Sequence, residues 1–123
     1  MSIPVLPFKL RCEVLANEYY RKVFYTDDSL QIVLMCLQAG EYIESEIHEE
    51  TTQLFRVECG HLLAIVNGVE IDLEQNDLLI IPKGTEHEII NNSQNKVKMY
   101  TVYSGVILHP SNYEEWGQPE KED

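Results

Sequence analysis

The sequence predicts an all-β fold, either a sandwich or a closed barrel, on three observations. Apolar and polar residues alternate with a period of two along most of the 123-residue chain. About eight short strand patterns follow one another at spacings of roughly 8–12 residues, with turn residues between them. Asn67-Gly68 lies between two apolar runs, which is a strong hairpin signal because both turn positions need a positive φ. No convincing amphipathic helix interrupts this pattern.

The individual strands follow from their local patterns. Residues 30–38 form a continuous apolar run and predict a buried strand. Residues 78–82 predict a short buried strand that ends at Pro82, because proline cannot donate to a sheet. Cys36 and Cys59 lie inside strand patterns and are predicted to be small core residues. The other predicted strands are 40–48, 53–59, 61–66, 69–73, 87–91 and 97–103.

Composition excludes several classes of function. With 21 acidic and 9 basic residues, the net charge of −12 repels nucleic acid and anionic lipid, and we expect neither as a partner. No run of roughly 18 apolar residues predicts a membrane span, and the first residues do not resemble a signal peptide. Three cysteines without a CxxC pattern indicate free thiols in a reducing compartment, so we predict a cytoplasmic location.

A polar cluster lies on the strand pattern at residues 40–48. Because residues i and i+2 point the same way on a strand, one face is predicted to carry Tyr42, Glu44, Glu46 and His48. Of these, Tyr42 is expected to be a core or rim residue and Glu44 to be solvated where the strand begins. After the polar turn at 49–52, Gln53 opens the return strand in phase with core residues. Gln53 is therefore predicted to project into the same interior as Glu46 and His48.

A second polar cluster begins at a tight bend made by Pro82 and Gly84. His87 starts the next strand in phase with Ile89 and Asn91. A single histidine on a strand is more often hydrogen-bonded or exposed than a metal ligand, but two imidazoles and one carboxylate together suit a divalent metal ion. No cysteine is in phase with these residues, so a thiolate zinc site is not expected.

The first cluster keeps the spacing of a motif of the cupin superfamily, which this chain resembles. That family motif is Gly, five residues, His, one residue, His, three or four residues, Glu, six residues, Gly. The chain has the same spacing with Gly40, Glu46, His48, Gln53 and Gly60. Two of the family's usual ligand types are thus replaced, and both replacements still offer an oxygen lone pair.

The second cluster resembles the other cupin motif, which is Gly, five residues, Pro, one residue, Gly, two residues, His, three residues, Asn. The chain matches it with Asn76, Pro82, Gly84, His87 and Asn91. The leading glycine is replaced by asparagine, which also tolerates a positive φ. The short separation of the two motifs resembles small single-domain microbial cupins, the type-2 conserved barrels.

The resemblance implies a double-stranded β-helix (jelly-roll) barrel in a single domain, residues 1–123. Within it we expect N-terminal strands at 1–25, the barrel at 30–103 and a polar C-terminal tail at 104–123. Small barrels of this superfamily commonly dimerise through edge strands, so the resemblance also implies a homodimer. The strand-like segment 8–25 is the expected dimer edge.

The resemblance further maps four metal ligands onto Glu46, His48, Gln53 and His87. In one form of the site all four bind the metal. In the other, Glu46, His48 and His87 make a face of two histidines and one carboxylate, and Gln53 hydrogen-bonds a bound water or substrate. The expected metal is Fe(II), Mn(II), Ni(II) or Zn(II), in no firm order.

Three functions are compatible with this site. The first is a small metal-dependent enzyme, of a dioxygenase or isomerase kind, acting on a small polar metabolite. The second is a non-catalytic module that binds a sugar or another metabolite, and the third is a barrel without metal. The fold alone does not choose among them. The four retained donors argue against the third, and we favour the first slightly, with no further catalytic residue assigned.

The remaining polar and aromatic residues receive structural interpretations. Tyr100 and Tyr103 are predicted to be packing residues, and His61 and His109 to be surface or structural residues. Arg56 is out of phase with the core and is predicted to lie at the surface or at a subunit interface.

Overall fold

The computed structural model describes residues 7–105, 108–110 and 113–117, which contain one helix and ten strands in two antiparallel sheets. The elements are α1 Leu10–Ala16, β1 Arg21–Thr26, β2 Leu30–Leu37, β3 Tyr42–Glu46, β4 Thr51–Cys59, β5 Leu62–Val66, β6 Val69–Leu73, β7 Leu78–Ile81, β8 His87–Ile90, β9 Val97–Gly105 and β10 Glu114–Glu115. The larger sheet has the order β10-β1-β2-β9-β4-β7, and the smaller has the order β3-β8-β5-β6. The predicted all-β fold is confirmed.

An apolar core receives side chains from both sheets. Each fully buried aliphatic or aromatic side chain stabilises the fold by about 1.5–3 kcal/mol relative to exposure. The members that are completely buried include Val33, Met35, Phe55, Ala64, Ile89 and Met99. The core thus joins the two sheets face to face and fixes which side of each strand points inward.

Strand β2 is buried on both of its faces, which explains its continuous apolar run. Val33 and Met35 belong to the core between the sheets. Leu34 and Cys36 are also buried, on the side where α1 contacts β2. The predictions of a buried strand at 30–38 and of a core position for Cys36 are therefore confirmed.

The Asn67-Gly68 turn joins β5 to β6 as predicted. Asn67 has φ 49° and Gly68 has φ 80°, and Val66 pairs directly with Val69. A two-residue turn with both φ values positive matches the right-handed twist of the flanking strands. This hairpin supplies half of the smaller sheet.

The N-terminal segment 8–25 contains a helix where only strands were expected. Leu, Glu and Ala in Leu10–Ala16 favour a helix intrinsically, but Val14 is its only buried residue. Arg11 fixes the helix to β4 through an ion pair of 3.2 Å with the buried Glu58. A helix with one buried residue has no broad apolar stripe, so the 3.6-residue period is hard to recognise in the sequence.

The expectation of a polar tail at 104–123 is also wrong for part of that range. Glu114 and Glu115 form β10, in register with Lys22 and Arg21 of β1. Trp116 stacks on Tyr19 with ring centroids 3.9 Å apart. Because charge pairs replace the apolar alternation of an ordinary strand, the sequence pattern resembles a solvated tail. The remainder of the predicted tail, 118–123, lies outside the described residues.

Two predictions of burial are wrong for reasons of strand position. Strand β7 is the edge of the larger sheet, so Leu78 and Ile80 are 51% and 57% exposed. In β4 the pairing with β9 shifts between Val57 and Cys59, which leaves Glu58 buried and Cys59 exposed. Edge position and β-bulges are both invisible to a simple alternation rule.

Two expectations about the whole molecule stay predictions. One is the single-domain division of residues 1–123, and the other is the homodimer. Within the described residues, no helix combines the length and the apolar character that crossing a bilayer requires.

Candidate metal centre

A β-bulge in β3 decides which of its side chains face the interior. Ile43 pairs with Ile89, and the next recorded pair joins Glu46 to His87. Strand β3 therefore advances three residues where β8 advances two, which is one extra residue on β3. Directly paired residues point to the same side of a sheet. Ile43 and Glu46 consequently both face inward although their spacing is odd.

The strict alternation predicted for 40–48 is thus wrong between Ile43 and Glu46. Ile43 is 4% exposed and belongs to the core, although alternation puts it on the face opposite Glu46, whereas Glu44 is exposed, as expected. Regular pairing would have forced a choice between burying Ile43 and bringing Glu46 into the interior. The bulge allows both, because its extra residue restores the inward phase for Glu46.

Glu46, His48 and His87 meet as one cluster. One ligand atom from each of the three lies within 4.8 Å of the other two. Nε2 of His48 is 3.0 Å from Oε2 of Glu46, and Nε2 of His87 is 3.9 Å from the same oxygen. Glu46 ends β3, His48 follows two residues later and His87 begins β8, so the three donors converge on a space that a single cation can fill, as their spacing predicts.

The imidazole of His87 is completely buried and oriented by the backbone. Its Nδ1 lies 3.0 Å from the carbonyl oxygen of Thr85, an acceptor, so Nδ1 carries the proton and donates it. Its Nε2 is buried and has no hydrogen-bond partner among the described residues. A metal-binding histidine commonly donates its other N–H to a backbone carbonyl in this way, which leaves the free lone pair for the ion.

The bend before β8 ties the two motifs together. The backbone N–H of Gly84 donates to the carbonyl oxygen of His48 at 2.9 Å. Gly84 has φ 76°, a left-handed conformation that favours glycine because it has no Cβ. This contact holds the bend before β8 against the residues that follow β3, so the backbones that carry His48 and His87 are fixed relative to each other.

Gln53 is buried at the inward position predicted for it. Its Nε2 donates to Oγ1 of Thr101 at 2.9 Å. Its Oε1 is buried and has no hydrogen-bond partner in the described part of the chain. The amide oxygen is thus available to a bound group, while its role as a direct metal ligand stays a prediction.

A family model for the cupin domain matches residues 33–103, which include both motifs. The chain belongs to the cupin family. The predicted family is confirmed, and with it the double-stranded β-helix, or jelly-roll, barrel. Asn76, which replaces the leading glycine of the second cupin motif, has φ 75°, so the replacement keeps the left-handed backbone of that position.

Similar proteins support the same family assignment. The uncharacterized protein L612 of Acanthamoeba polyphaga mimivirus is 41% identical over 100 residues, which cover 77% of this chain and 62% of the relative. The uncharacterized protein YrkC of Bacillus subtilis is 28% identical over 94 residues, which cover 72% of this chain and 50% of that relative. The chain therefore spans less than two thirds of the length of these relatives. The crystal structure of BH2720 from Bacillus halodurans has a TM-score of 0.87 at 28% identity, covering 91% of this chain and 89% of that one.

Tyr103, predicted to be a packing residue, and His109, predicted to be a surface or structural residue, lie beside the cluster of this cupin. Tyr103 is buried on β9, and its ring centroid is 6.0 Å from that of His48. The ring of His109 is 5.7 Å from Tyr103, and Gln31 holds its backbone by accepting from the N–H and donating to the carbonyl. Tyr103 follows Met99 and Thr101 at intervals of two, so alternation could have predicted that it faces the interior. No sequence pattern predicts the position of His109.

Burial sets the protonation of both residues. It raises the pKa of Tyr103 above the usual range of a phenol, although the Arg21 guanidinium acts in the opposite direction. It lowers the pKa of His109 below its usual value, and Arg21 lowers it further. At neutral pH the barrel therefore presents a neutral phenol and a neutral imidazole close to the cluster.

A cavity of about 320 Å³ opens next to the cluster. His48 is the ligand candidate that lines it, together with Ile47, Glu49, Glu50, Thr51 and Leu108. Its volume falls at the lower end of the range for small-molecule sites. The depression is open to solvent, and of the three cluster residues it reaches His48 and neither Glu46 nor His87.

Proposed function

We propose that this cupin binds one divalent transition-metal ion through Glu46, His48 and His87 and acts with it as a small metal-dependent enzyme on a small polar metabolite. The observation that carries the proposal is the buried Nε2 of His87, which has no hydrogen-bond partner among the described residues although Thr85 fixes the opposite ring nitrogen. A buried polar atom without a partner costs about 1–3 kcal/mol. A metal ion removes that cost, and the two nearby donors supply its other ligands.

The donor chemistry fits such an ion. Two neutral imidazoles and one carboxylate suit Fe(II), Mn(II), Ni(II) or Zn(II), and a three-residue face leaves positions open for a substrate. A bound ion of this kind supplies a Lewis acid that polarises a substrate oxygen. Glu46 contributes the negative charge of the set and His87 the rigid, buried donor.

The protein's own residues supply the rest of the proposed site. We assign Gln53 the role of binding a substrate or water hydrogen through its unpartnered Oε1. We assign His109 the role of proton acceptor, because its lowered pKa keeps the imidazole neutral near pH 7. We assign Tyr103, which stays protonated, the role of donating a hydrogen bond to the bound metabolite. Its buried ring helps to exclude water from the proposed site.

Metal analysis of protein purified without an affinity tag tests the metal part of the proposal. We expect close to one equivalent of metal per chain, and loss of that metal when His48 and His87 are both changed to Ala. His61→Ala is the matched control, because His61 is exposed and lies outside both motifs, directly after Gly60. Protein that neither contains metal nor takes it up on titration would overturn the proposal.

Turnover then separates an enzyme from a binding module. Loaded protein is offered diketones, thiols and sugars while oxygen consumption and product formation by NMR are recorded. Turnover that disappears in the double variant supports the enzyme. Saturable binding of one of these compounds without any turnover overturns it in favour of the non-catalytic binding module.

A further inference from the structure

Three buried polar atoms on inward-facing strands have no hydrogen-bond partner within the described residues: Nε of Arg21, Oε1 of Gln53 and Nε2 of His87. Two more such atoms, in Arg56 and Glu58, are accounted for by ion pairs at 3.1 and 3.2 Å. The proposed metal uses Nε2 of His87. The Nε–H of Arg21 is then a buried donor that neither the proposed metal nor any described residue satisfies.

Arg21 lies on the inward side of β1. It has the same phase as Val23, which belongs to the core, and its side chain is only 12% exposed. Its Cζ is 5.2 Å from the centre of the Tyr20 ring, and Tyr20 is itself buried. A guanidinium is costly to bury unless its donors are paired, so this position calls for an anion.

Glu115 of β10 is a carboxylate partner of Arg21, but it pairs with only one nitrogen of the guanidinium. Nη1 of Arg21 donates to Oε1 of Glu115 at 2.6 Å, while the buried Nε of the same guanidinium stays unpartnered. A guanidinium has five N–H donors in a planar fork and binds a carboxylate best through two of them. Arg21 therefore has donors left for a second carboxylate.

The neighbouring pair on the same two strands behaves differently. Lys22 and Glu114 are 4.0 Å apart, and their side chains are 42% and 44% exposed. They form an ordinary surface ion pair, which contributes little. Of the two ion pairs between β1 and β10, the Arg21–Glu115 pair is therefore the unusual one, because it is buried. The exposed Lys22–Glu114 pair serves as its matched control.

Tyr103 connects Arg21 with the metal cluster. Its buried ring is 6.0 Å from the ring of His48. From Tyr103 a row of rings leads back to β1, because His109 lies 5.7 Å from Tyr103 and Tyr113 stacks on His109 at 5.4 Å. The carbonyl oxygen of Tyr113 accepts from the N–H of Val23, two residues from Arg21, at 3.0 Å.

We infer that Arg21 binds the carboxylate group of a small organic acid whose other end reaches the metal cluster, and that Glu115 is the internal carboxylate that competes for the same guanidinium. This inference rests on the proposed metal site and names the substrate class for it. A divalent ion with Glu46, and Arg21 with Glu115, leave one net positive charge. A monocarboxylate neutralises that charge, whereas a neutral sugar leaves the guanidinium unsatisfied.

The test uses Co(II)-loaded full-length protein, titrated with acetate, pyruvate and lactate and with the matched amides acetamide, pyruvamide and lactamide. Binding is followed by calorimetry and by the visible absorption of the cobalt. At least one acid is expected to bind, and its amide to bind at least about tenfold more weakly. Arg21→Met is expected to weaken acid binding by about 10- to 100-fold, and Arg21→Lys by less. Glu115→Gln is expected to strengthen it, because the competing carboxylate is gone.

The controls separate this inference from the proposed metal site. Lys22→Met and Glu114→Gln are expected to leave acid binding unchanged. If acid and amide bind equally, or if a folded Arg21→Met or Arg21→Lys variant with full cobalt content binds the acid as the wild type does, the inference is wrong while the metal site stands. If the wild type takes up no cobalt, the proposed metal site itself fails.

Discussion

Glu46 and His87 are directly paired across β3 and β8, and Oε2 of Glu46 lies 3.9 Å from Nε2 of His87. The bulge between Ile43 and Glu46 creates this pairing, because regular alternation would have set Ser45 opposite His87. The extra residue thus brings Glu46 to the inward face, where it lies opposite His87 in the proposed metal site. The same strand still contributes Ile43 to the core.

Glu46→Gln is therefore expected to lower divalent-metal affinity by at least about tenfold, because a neutral amide oxygen replaces the only carboxylate of the cluster. Competition with a coloured chelator measures the affinity. Glu44→Gln is the matched control on the same strand, since Glu44 is exposed, and we expect no change. An equal loss in both variants would mean that Glu44 shares the inward face and that the bulge is misplaced.

Asn76 tests the backbone of the second motif. With φ 75° its backbone is left-handed, a conformation that costs a residue with an ordinary Cβ about 1–2 kcal/mol. Asn76→Gly is expected to change the free energy of unfolding by less than about 0.5 kcal/mol, and Asn76→Ala to lower it by about 1 kcal/mol more. Both variants lose the exposed hydrogen bond from Arg56, so their difference isolates the backbone term. Denaturant unfolding measures it, and equal stability of the two variants would contradict the prediction.

Motif spacing made most of the site predictable. Glu46, His48 and His87 were identified because two donors on one strand and one at the start of another keep fixed distances along the chain. The strands followed from alternation where one face is buried and the other solvated, as in β5 and β6. In both cases a local regularity in the sequence corresponds to a regularity in the backbone.

The features that escaped prediction are those where regularity breaks. The bulges at Glu46 and Cys59 shift the inward–outward alternation of their strands by one residue, and no residue type in the sequence indicates where such a bulge lies. Strand β10 is held by charge pairs and α1 mainly by Val14 and an ion pair, so neither shows the apolar period of its element. His109 is held near the site by Gln31 of β2, 78 residues away in the sequence, and such a contact is a property of the tertiary structure alone.

The lowered pKa of His109 makes stability depend on pH in a defined direction. Because burial depresses its pKa in the folded state, the unfolded chain binds a proton first as the pH falls through the ordinary histidine value near about 6.5. The stability that His109 contributes is thus present above that value and is lost as the pH falls towards the folded pKa. His109→Phe keeps a ring against Tyr103 and Tyr113 and removes the titration.

Thermal unfolding of the wild type and of His109→Phe between pH 7.5 and pH 5 checks this direction. We expect the wild type to lose more stability than the variant over this interval. The exposed His61→Phe variant is the control and should follow the wild type. Parallel pH profiles for the wild type and His109→Phe would show that His109 titrates normally in the folded protein.

Asn91, the last residue of the second motif, is a structural residue and not a ligand. It is completely buried, and its Nδ2 donates to the carbonyl oxygens of Leu37, Gln38 and Asn95 at 2.8–3.0 Å. Its Oδ1 accepts from the backbone N–H and the hydroxyl of Ser93. One side chain therefore joins the end of β2 to the loop between β8 and β9.

Asn91→Ala is expected to lower the free energy of unfolding by about 2–4 kcal/mol, because it removes a buried amide that donates to the buried carbonyl of Leu37 and to two carbonyls that are more exposed. Asn91→Asp should cost at least as much, since its carboxylate is isosteric but repels the same carbonyl oxygens. Asn92→Ala, at the exposed neighbouring position, is the control and should stay within about 0.5 kcal/mol of the wild type. Denaturant unfolding gives all three values. A loss below about 1 kcal/mol in Asn91→Ala would mean that water replaces the amide, and that the motif needs this asparagine for something other than its hydrogen bonds.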